Sequence, residues 1–220
     1  MPHQSGPAAT RNYGGQKALG DILLFVDSDV LVNRKTISQV VANFMNNPNV
    51  VAVFGSYDDS PRAADFLPQF RNLFHHFIHQ NSHQEAKTFW TGCGAIYRKI
   101  FFQLQGFDKG WFSIEDIELG HRIRKNGYRI MLDKELQVKY LKQWGLRSWL
   151  KTDIFYRAVP WSQLILESGY LPRELNSPTS HRISAVLVGL LILTIPLFFW
   201  DTVNLFGLPI YIVFLYFFCL

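Results

Sequence analysis

Apolar runs of strand length alternate with helical repeats over the first 140 residues of the chain. Residues 22–26 (ILLFV) and 50–55 are continuous apolar runs, which is typical of strands buried on both faces. Residues 36–46 place apolar side chains at helical spacing, and an Asn-Pro pair ends that helix. Further strands are predicted at residues 89–97, 128–132 and 135–141, and further helices at residues 66–80 and 115–126. The alternation predicts an α/β fold with a mostly parallel sheet.

The apolar pattern changes toward the C-terminus. Residues 183–200 are uncharged over a length that just spans a bilayer, and residues 205–220 are apolar again after a short turn. We expect a transmembrane helical hairpin here; a pair of buried core helices is the alternative. Arg173, His181 and Arg182 precede the first apolar run, so the positive-inside rule places the polar part in the cytoplasm. We therefore expect a multi-pass protein of the plasma or inner membrane.

Charge and cysteine content exclude several classes of function. The 22 Lys and Arg against 17 Asp and Glu give a net charge of +5, but the basic residues form no long run. Because basic and aromatic residues do not alternate on a strand either, we expect no nucleic-acid partner. A membrane surface or a phosphate-bearing substrate accounts for the excess charge more simply. Cys93 and Cys219 give neither a disulfide framework nor a zinc-ligand spacing.

Two acidic residues directly follow the first predicted strand. Asp27 and Asp29 flank a serine at the carboxyl end of residues 22–26, where open α/β sheets bind ligands. Alternate residues of an extended segment point the same way, so both carboxylates face one side. Oxygen ligands of this kind suit Mg²⁺ or Mn²⁺ and a phosphate bridged by the metal. An ordinary polar loop is the alternative interpretation.

Two segments of small residues are further candidates for substrate binding. Gly6 and Pro7 open a predicted helix that contains Arg11 and Asn12, and Arg11 with the helix N-terminus is suited to an anion. A capped surface helix is the alternative. The run Gly92, Cys93, Gly94 interrupts a bulky strand, and small residues there mark a close approach of backbone or ligand.

Acidic and aromatic residues of the second half suggest catalytic and membrane-facing roles. Glu115 and Asp116 begin a predicted helix just after Trp111, either as capping acids or as a general base for an acceptor hydroxyl. Arg157 and Trp161 lie on an amphipathic stretch. Arg157 is suited to a phosphate and Trp161 to a sugar ring or the membrane interface, and a helix lying on the membrane accommodates both.

A histidine cluster precedes the small-residue strand. His75, His79 and His83 are spaced to share one face of a helix. The glutamate that accompanies paired histidines in zinc metalloproteases is missing from this segment, so a metal site is disfavoured. We expect a polar helix face or contacts to an acceptor.

In this order and spacing, the motifs GPAATRN, ILLFVDSDV, TGCGA, WFSIED and RAVPW resemble glycosyltransferase family 2. The resemblance implies a GT-A fold with a mixed sheet flanked by helices. The fold is expected to be partial, because the family's first nucleotide-binding βαβ part is missing from the sequence. Residues 1–145 correspond to the catalytic domain, 146–182 to an amphipathic interfacial region, and 183–220 to two transmembrane helices, the second truncated.

The same resemblance implies a reaction and roles for individual residues. It implies metal-dependent, inverting transfer of a sugar from a UDP- or GDP-sugar to a lipid-linked or glycan acceptor, with Mg²⁺ or Mn²⁺ held by Asp27 and Asp29. Asp116 would be the catalytic base, with Glu115 its neighbour or the base itself. The implied substrate-binding residues are Arg11, Asn12, Asp27, Gly92, Cys93, Gly94, Trp111, Arg157 and Trp161. A non-catalytic, membrane-anchored remnant and a nucleotidyltransferase on a related scaffold are the alternatives.

Overall fold

The computed structural model describes residues 6–169 and 179–198, which belong to two compact units, Met1–Leu171 and Pro172–Leu220. The helices of the first unit are α1 (Gly6–Lys17), α2 (Thr36–Asn46), α3 (Phe66–Asn81), α4 (Arg98–Gln103), α5 (Glu115–Lys125), α6 (Leu146–Lys151) and α7 (Val159–Ser168). A π-helical segment, Thr152–Ala158, joins α6 to α7. Its strands are β1 (Ile22–Val26), β2 (Val30–Leu31), β3 (Val50–Tyr57), β4 (Glu85–Ala86), β5 (Cys93–Tyr97) and β6 (Arg129–Tyr140).

The second unit contributes one described helix, α8 (Thr179–Phe198), which includes most of the apolar run predicted at residues 183–200. Over the residues that the structure describes, no helix combines the length and the apolar character needed to cross a membrane. The second predicted transmembrane segment, residues 205–220, lies outside the described residues.

The sheet is mixed, and the prediction of a mostly parallel sheet is wrong. The strand order is β1-β5-β3-β6-β2, with β4 also paired to β6. Of these pairs among the described strands, β3–β6 is parallel, and β1–β5, β3–β5, β2–β6 and β4–β6 are antiparallel. A strand covered on both faces has an apolar sequence whichever way its neighbours run, so the apolar runs carried no information on direction. The mixed sheet flanked by helices that the family resemblance implied is confirmed.

Helices on both faces of the sheet enclose two cores. Val53 and Phe54 are adjacent on β3 and fully buried, yet they belong to different cores because alternate residues point to opposite faces. One core contains Phe25, Phe101 and Phe107 in mutual ring contact at 5.1–5.4 Å between centroids. The other contains residues of α2, β3 and β6.

Two predicted elements have the predicted bounds, and the others differ by one residue or more; the strand predicted at residues 89–97, for example, is Cys93–Tyr97. The strand at residues 22–26 and the helix at residues 36–46 are confirmed to the residue. The strands predicted at residues 128–132 and 135–141 are one strand, β6, which pairs with β3 through a register shift beside Gly55. A Cβ at Gly55 would lie 2.0 Å from the Leu136 carbonyl oxygen, so only glycine fits this close approach.

The histidine face of α3 points inward, against expectation. His79 is buried, and the Nδ1 atoms of His75 and His79 are both enclosed without a hydrogen-bond partner. Their rings lie 4.4 Å apart and contact Trp90 at 5.3 and 5.4 Å. His83 lies beyond the end of the helix at Asn81, so the three histidines do not share one face. The prediction of a polar helix face is therefore wrong for His75 and His79, and contacts of this segment to an acceptor stay a prediction.

Candidate active site

The loops that follow β1 and precede β5 meet at one edge of the sheet. These strands are antiparallel neighbours with Val26 opposite Cys93, so the end of one lies beside the start of the other. The backbone N–H of Asp27 donates to the carbonyl of Gly92 at 3.3 Å. The predicted metal-binding loop and the predicted small-residue segment are thus direct neighbours in space.

Arg11 draws three elements together at this edge. From α1, its Nη2 donates to Asp27 Oδ1 at 2.6 Å, and its Nη1 donates to Glu115 Oε1 at the start of α5. The guanidinium side chain is largely buried between the two carboxylates. The predicted anion partner of Arg11 is therefore supplied, in this structure, by the protein's own acids.

Glu115 and Asp116 are adjacent in sequence but occupy different surroundings. Glu115 is 4% exposed, and its Oε2 is enclosed without a hydrogen-bond partner. Burial raises the pKa of Glu115, with a further contribution from the charge of Asp116, while Arg11 opposes the shift.

Asp116 is partly exposed and firmly oriented. Its Oδ2 accepts from the backbone N–H and the hydroxyl of Thr91 at 3.1 and 3.2 Å, and its Oδ1 accepts from the N–H of Ile117 at 2.8 Å. Burial raises the pKa of Asp116 against the opposing effects of the Thr91 hydrogen bond and the charge of Arg11. This carboxylate has a fixed orientation and a strengthened affinity for a proton.

Asp29 completes a set of four carboxylates. Its side chain is about as exposed as that of Asp27, at 33% against 31%, and its Oδ2 lies 3.8 Å from Nζ of Lys142. Burial raises the pKa of Asp29, Lys142 lowers it, and the charge of Asp27 raises it further. The carboxylates of Asp27 and Asp29 are thus close enough to repel each other, as two ligands of one cation are.

The donor set fits a hard divalent cation bound jointly with a substrate. Among the described residues, no group of three or more His, Cys, Asp and Glu is arranged to hold a metal by itself. Mg²⁺ and Mn²⁺ need only one or two carboxylates when phosphate oxygens and water complete the shell. Asp27 and Asp29 meet that requirement.

The predicted small-residue segment is explained largely by its own packing. A Cβ at Gly92 would lie 1.9 Å from the Trp90 ring, and one at Gly94 would lie 2.2 Å from the Trp90 carbonyl oxygen. Cys93 is fully buried, and burial raises the pKa of its thiol to about 11. The chain folds back over Trp90 here, so glycine is required whether or not a ligand also approaches.

Asn12 lies on α1, and Trp111 lies in the loop that leads from α4 to α5. The Asn12 side-chain amide donates to the carbonyl of Phe107 at 2.7 Å and accepts from its N–H at 2.8 Å. This pair of bonds ties α1 to the loop that leads to α5. Trp111 is partly buried in that loop, and its N–H donates to the carbonyl of Asp108 at 3.4 Å.

Arg157 and Trp161 lie one helical turn apart along the chain, on the π-helical segment and on α7. Arg157 sits in the π-helical segment, 4.0 Å from Asp153, and Asp153 accepts two hydrogen bonds from Arg71 of α3 at 2.8 and 2.7 Å. Local π-helical geometry is frequent at functional sites. Trp161 lies partly exposed on α7.

The sequence analysis did not predict a cluster of three aromatic residues, Tyr57, Trp90 and Tyr140, near Asp27 and Asp29. Tyr57 stacks on Tyr140 at 4.4 Å between centroids and meets Trp90 edge-on at 4.9 Å. Burial raises the pKa of Tyr57 well above its ordinary value, with further contributions from Asp29 and Asp27, while Arg157 opposes the shift. Tyr57 and Tyr140 end the buried strands β3 and β6, and Trp90 lies in the loop before β5. An aromatic residue at a strand end is too common to have signalled the site.

Comparison with protein families and curated proteins gives consistent matches. The family model for Glycosyl transferase family 2 matches residues 1–104. A pre-mycofactocin glycosyltransferase of Mycobacterium tuberculosis is 26% identical over 174 residues, covering 70% of this chain and 34% of that protein. An O-antigen chain rhamnosyltransferase of Salmonella anatum is 25% identical over 171 residues, covering 69% of this chain and 54% of that protein. The chain thus spans about a third to about half of the length of these relatives.

The fold has a solved counterpart. The mannosyltransferase PcManGT from Pyrobaculum calidifontis, solved with GDP-Man and Mn²⁺, superimposes with a TM-score of 0.58 at 18% identity, covering 95% of this chain and 65% of that one. This likeness shows a shared, GT-A-like fold. By sequence, residues 1–104 match the family model for Glycosyl transferase family 2, and the chain is similar to glycosyltransferases over about 70% of its length.

Proposed function

We propose that the protein transfers a sugar from a UDP- or GDP-sugar to a lipid-linked or glycan acceptor, with inversion at the anomeric carbon. The observation that carries the proposal is the gathering of four carboxylates at one sheet edge. Arg11 links Asp27 to Glu115, and Thr91 holds Asp116 beside them. The names of the relatives and the GDP-Man and Mn²⁺ bound to PcManGT support a nucleotide-sugar donor.

Asp116 is the proposed catalytic base. Its carboxylate is oriented by Thr91 and remains partly open, while Glu115 is enclosed and bound by Arg11. A raised pKa makes the carboxylate a better proton acceptor near neutral pH. A capping role at the start of α5 is compatible with this, because one oxygen of Asp116 also accepts from Ile117.

The proposed reaction is a single displacement. The acceptor hydroxyl oxygen bonds to the anomeric carbon from the face opposite the nucleotide, and the bond from that carbon to the diphosphate oxygen breaks. The electron pair leaves with the diphosphate, and the hydroxyl proton passes to Asp116. The sugar carries oxocarbenium-like charge at the transition state, as in glycoside hydrolysis. An acceptor that is already a phosphate anion needs no base.

Asp27 and Asp29 would hold Mg²⁺ or Mn²⁺, whose charge stabilises the leaving diphosphate when the ion is bound. In this structure the two carboxylates are balanced by cations of the protein, Arg11 at 2.6 Å and Lys142 at 3.8 Å. The positive charges of Arg11 and Lys142 offset the repulsion between the two neighbouring carboxylates of the loop.

The proposal includes attachment to a membrane with the catalytic part on the cytoplasmic side. The uncharged stretch at residues 183–200 and the basic residues Arg173 and Arg182 before it support this placement. Membrane fractionation followed by alkaline carbonate extraction and protease protection tests it. Recovery of the chain in the supernatant after carbonate extraction would contradict the attachment. Inverted membrane vesicles expose the cytoplasmic face, so protection of residues 6–169 from protease in such vesicles would contradict the cytoplasmic placement.

Nucleotide release is the direct test of the reaction. We would express the whole chain, offer a panel of UDP- and GDP-sugars with and without Mn²⁺, and compare Asp116→Asn and Glu115→Gln with the parent. Asp108→Asn, an exposed acid of the preceding loop, is the matched control. We expect metal-dependent release that falls at least about tenfold in Asp116→Asn and stays near the parental rate in the control.

Each other outcome changes the assignment in a defined way. Loss in Glu115→Gln with full activity in Asp116→Asn would move the base to Glu115. Metal-dependent release that persists in both variants would keep the transferase and indicate a phosphate acceptor. A folded chain that releases no nucleotide from any donor would indicate the non-catalytic alternative.

A further inference from the structure

Helix α3 carries an apolar face on its outside. Phe66, Phe70, Leu73, Phe74 and Phe77 are all exposed, from 41% to 76%. Their spacing places them along one side of an α-helix. The opposite side of the helix is occupied by the buried Pro68, Asn72, Ile78 and His79. We call the five exposed side chains the phenylalanine ridge.

The ridge is continuous and ordered. Phe66, Phe70 and Phe74 stack in sequence, with centroids 6.0 and 5.7 Å apart and rings within 22° and 13° of parallel. Isolated exposed apolar residues are common on soluble proteins, but a contiguous row of aromatic rings marks an interaction surface.

The ridge extends onto the helical region that follows the sheet. Phe70 meets the ring of Trp149 on α6 at 6.4 Å, and Arg71 is held to Asp153 of the π-helical segment. The same region exposes further apolar side chains, namely Leu146, Leu150, Ile154, Phe155 and Val159. The ridge and the helical region of residues 146–159 are therefore adjacent in space, and both expose apolar side chains.

Basic residues accompany this surface. Residues 66–81 contain Arg71 and no acid, and residues 146–168 contain Arg147, Lys151 and Arg157 against two acids. One of those acids, Asp153, is neutralised by its ion pair with Arg71. The surface is apolar and net positive, which matches the acyl chains and anionic headgroups of a bilayer interface.

We propose that the phenylalanine ridge inserts into the interface of an anionic bilayer and sets the orientation of the sheet on the membrane. Phenylalanine rings enter the boundary between headgroups and acyl chains, and the flanking Lys and Arg side chains reach the phosphates. The inference goes beyond the proposed function, because it concerns a surface that contains none of the proposed site carboxylates. It predicts that α3 contacts lipid whatever the chain's other membrane contacts are.

Depth-dependent fluorescence tests the inference on the whole chain. An environment-sensitive NBD label is attached at Phe70→Cys or Phe74→Cys in a Cys219→Ser background, since Cys93 is fully buried. The labelled chain is reconstituted into phosphatidylcholine vesicles with and without phosphatidylglycerol, and lipids brominated along the acyl chain serve as quenchers. Labels at Leu19 and at Met45 on α2, which are 96% and 76% exposed, are the matched controls.

We expect the α3 labels to be quenched at least about twofold more than the control labels, and more strongly when phosphatidylglycerol is present. Equal quenching of α3 and control labels would overturn the inference. A blue-shifted α3 label that is not quenched by the brominated lipids would also overturn it: a shift that disappears on dilution into excess vesicles indicates a second copy on the ridge, and one that persists indicates another segment of this chain.

Nucleotide release separates this inference from the proposed reaction. Phe70→Ser with Phe74→Ser is expected to leave metal-dependent release in detergent solution unchanged and to abolish quenching of a label at Phe77→Cys. Loss of quenching with retained nucleotide release would confirm that the phenylalanine ridge contacts lipid and has no part in the reaction. Retained quenching in the double variant would refute it, and absent release in the parent would refute the transferase but leave the lipid contact standing.

Discussion

Acidification should destabilise this protein through the buried histidine pair of α3. His79 is 4% exposed, its ring contacts His75, Trp90 and Phe54, and its Nδ1 has no hydrogen-bond partner. Burial lowers the pKa of His79 from 6.5 to about 4, and burial together with the charge of His79 lowers the pKa of His75 well below its ordinary value. A proton on either ring would place an unsolvated charge between aromatic side chains.

The direction and size of the effect follow from proton binding by the two states. Between the folded and unfolded pKa values the unfolded chain binds more protons, so the free energy of unfolding falls as the pH is lowered. The stability that depends on a neutral His79 ring is fully present above the unfolded-state pKa of 6.5, and it is lost as the pH falls toward the folded-state pKa of about 4. From about pH 7.5 to about pH 5 this one histidine should remove about 2 kcal/mol of stability.

Urea unfolding followed by tryptophan fluorescence, in mild detergent at the two pH values, measures this loss. His79→Gln removes the titrating group, so its stability should fall by about 2 kcal/mol less than the parent's over the same range. His83→Gln changes an exposed histidine past the end of α3 and should behave as the parent does. An equal pH dependence in the parent and in His79→Gln would refute the reasoning, whatever the variant's absolute stability.

Other substitutions test the packing around the site. Gly94→Ala places a Cβ 2.2 Å from the Trp90 carbonyl oxygen and should cost about 3 kcal/mol in urea unfolding. The control is Gly14→Ala, which has open space around it in α1 and should stabilise the protein by about 0.5–1 kcal/mol. Equal effects of the two substitutions would contradict the close approach at Gly94. Phe54→Ala empties a fully buried site and should cost about 3–5 kcal/mol in urea unfolding, and a loss below about 1 kcal/mol would contradict this reasoning. Arg71→Lys loses the paired hydrogen bonds to Asp153 and should cost about 1 kcal/mol by thermal unfolding; a loss undiminished in an Asp153→Asn background would show that the pair is not its source.

Local signals in the sequence predicted most of the elements and the place of the acidic loop. The helix at residues 36–46 and the strand at residues 22–26 follow from period and from end signals that neighbouring residues supply. Asp27 and Asp29 were predicted at the end of β1 because a strand end is a local property. Their roles as metal ligands stay a prediction, and so do the roles of Asp116 and Glu115.

The orientation of α3 shows where local pattern was insufficient. Its sequence contains two candidate faces, one with histidines and one with phenylalanines. The expected polar histidine face is instead buried at His79, and the phenylalanines are exposed. The histidines are buried because Tyr57 and Trp90 offer them aromatic contacts from β3 and from the loop before β5. Neither partner is near α3 in sequence.

The sequence by itself determined the elements, the acidic loop after β1, the paired acids that begin α5 and the family resemblance, because these rest on periodicity and on residues close together in the chain. Only the tertiary structure decided the mixed strand directions, the burial of the α3 histidines and the partners of Arg11. Each of these depends on contacts between distant segments: Arg11 meets Asp27 across 16 positions and Glu115 across 104. Such contacts depend on how whole surfaces pack against one another, and the local sequence pattern does not predict that packing.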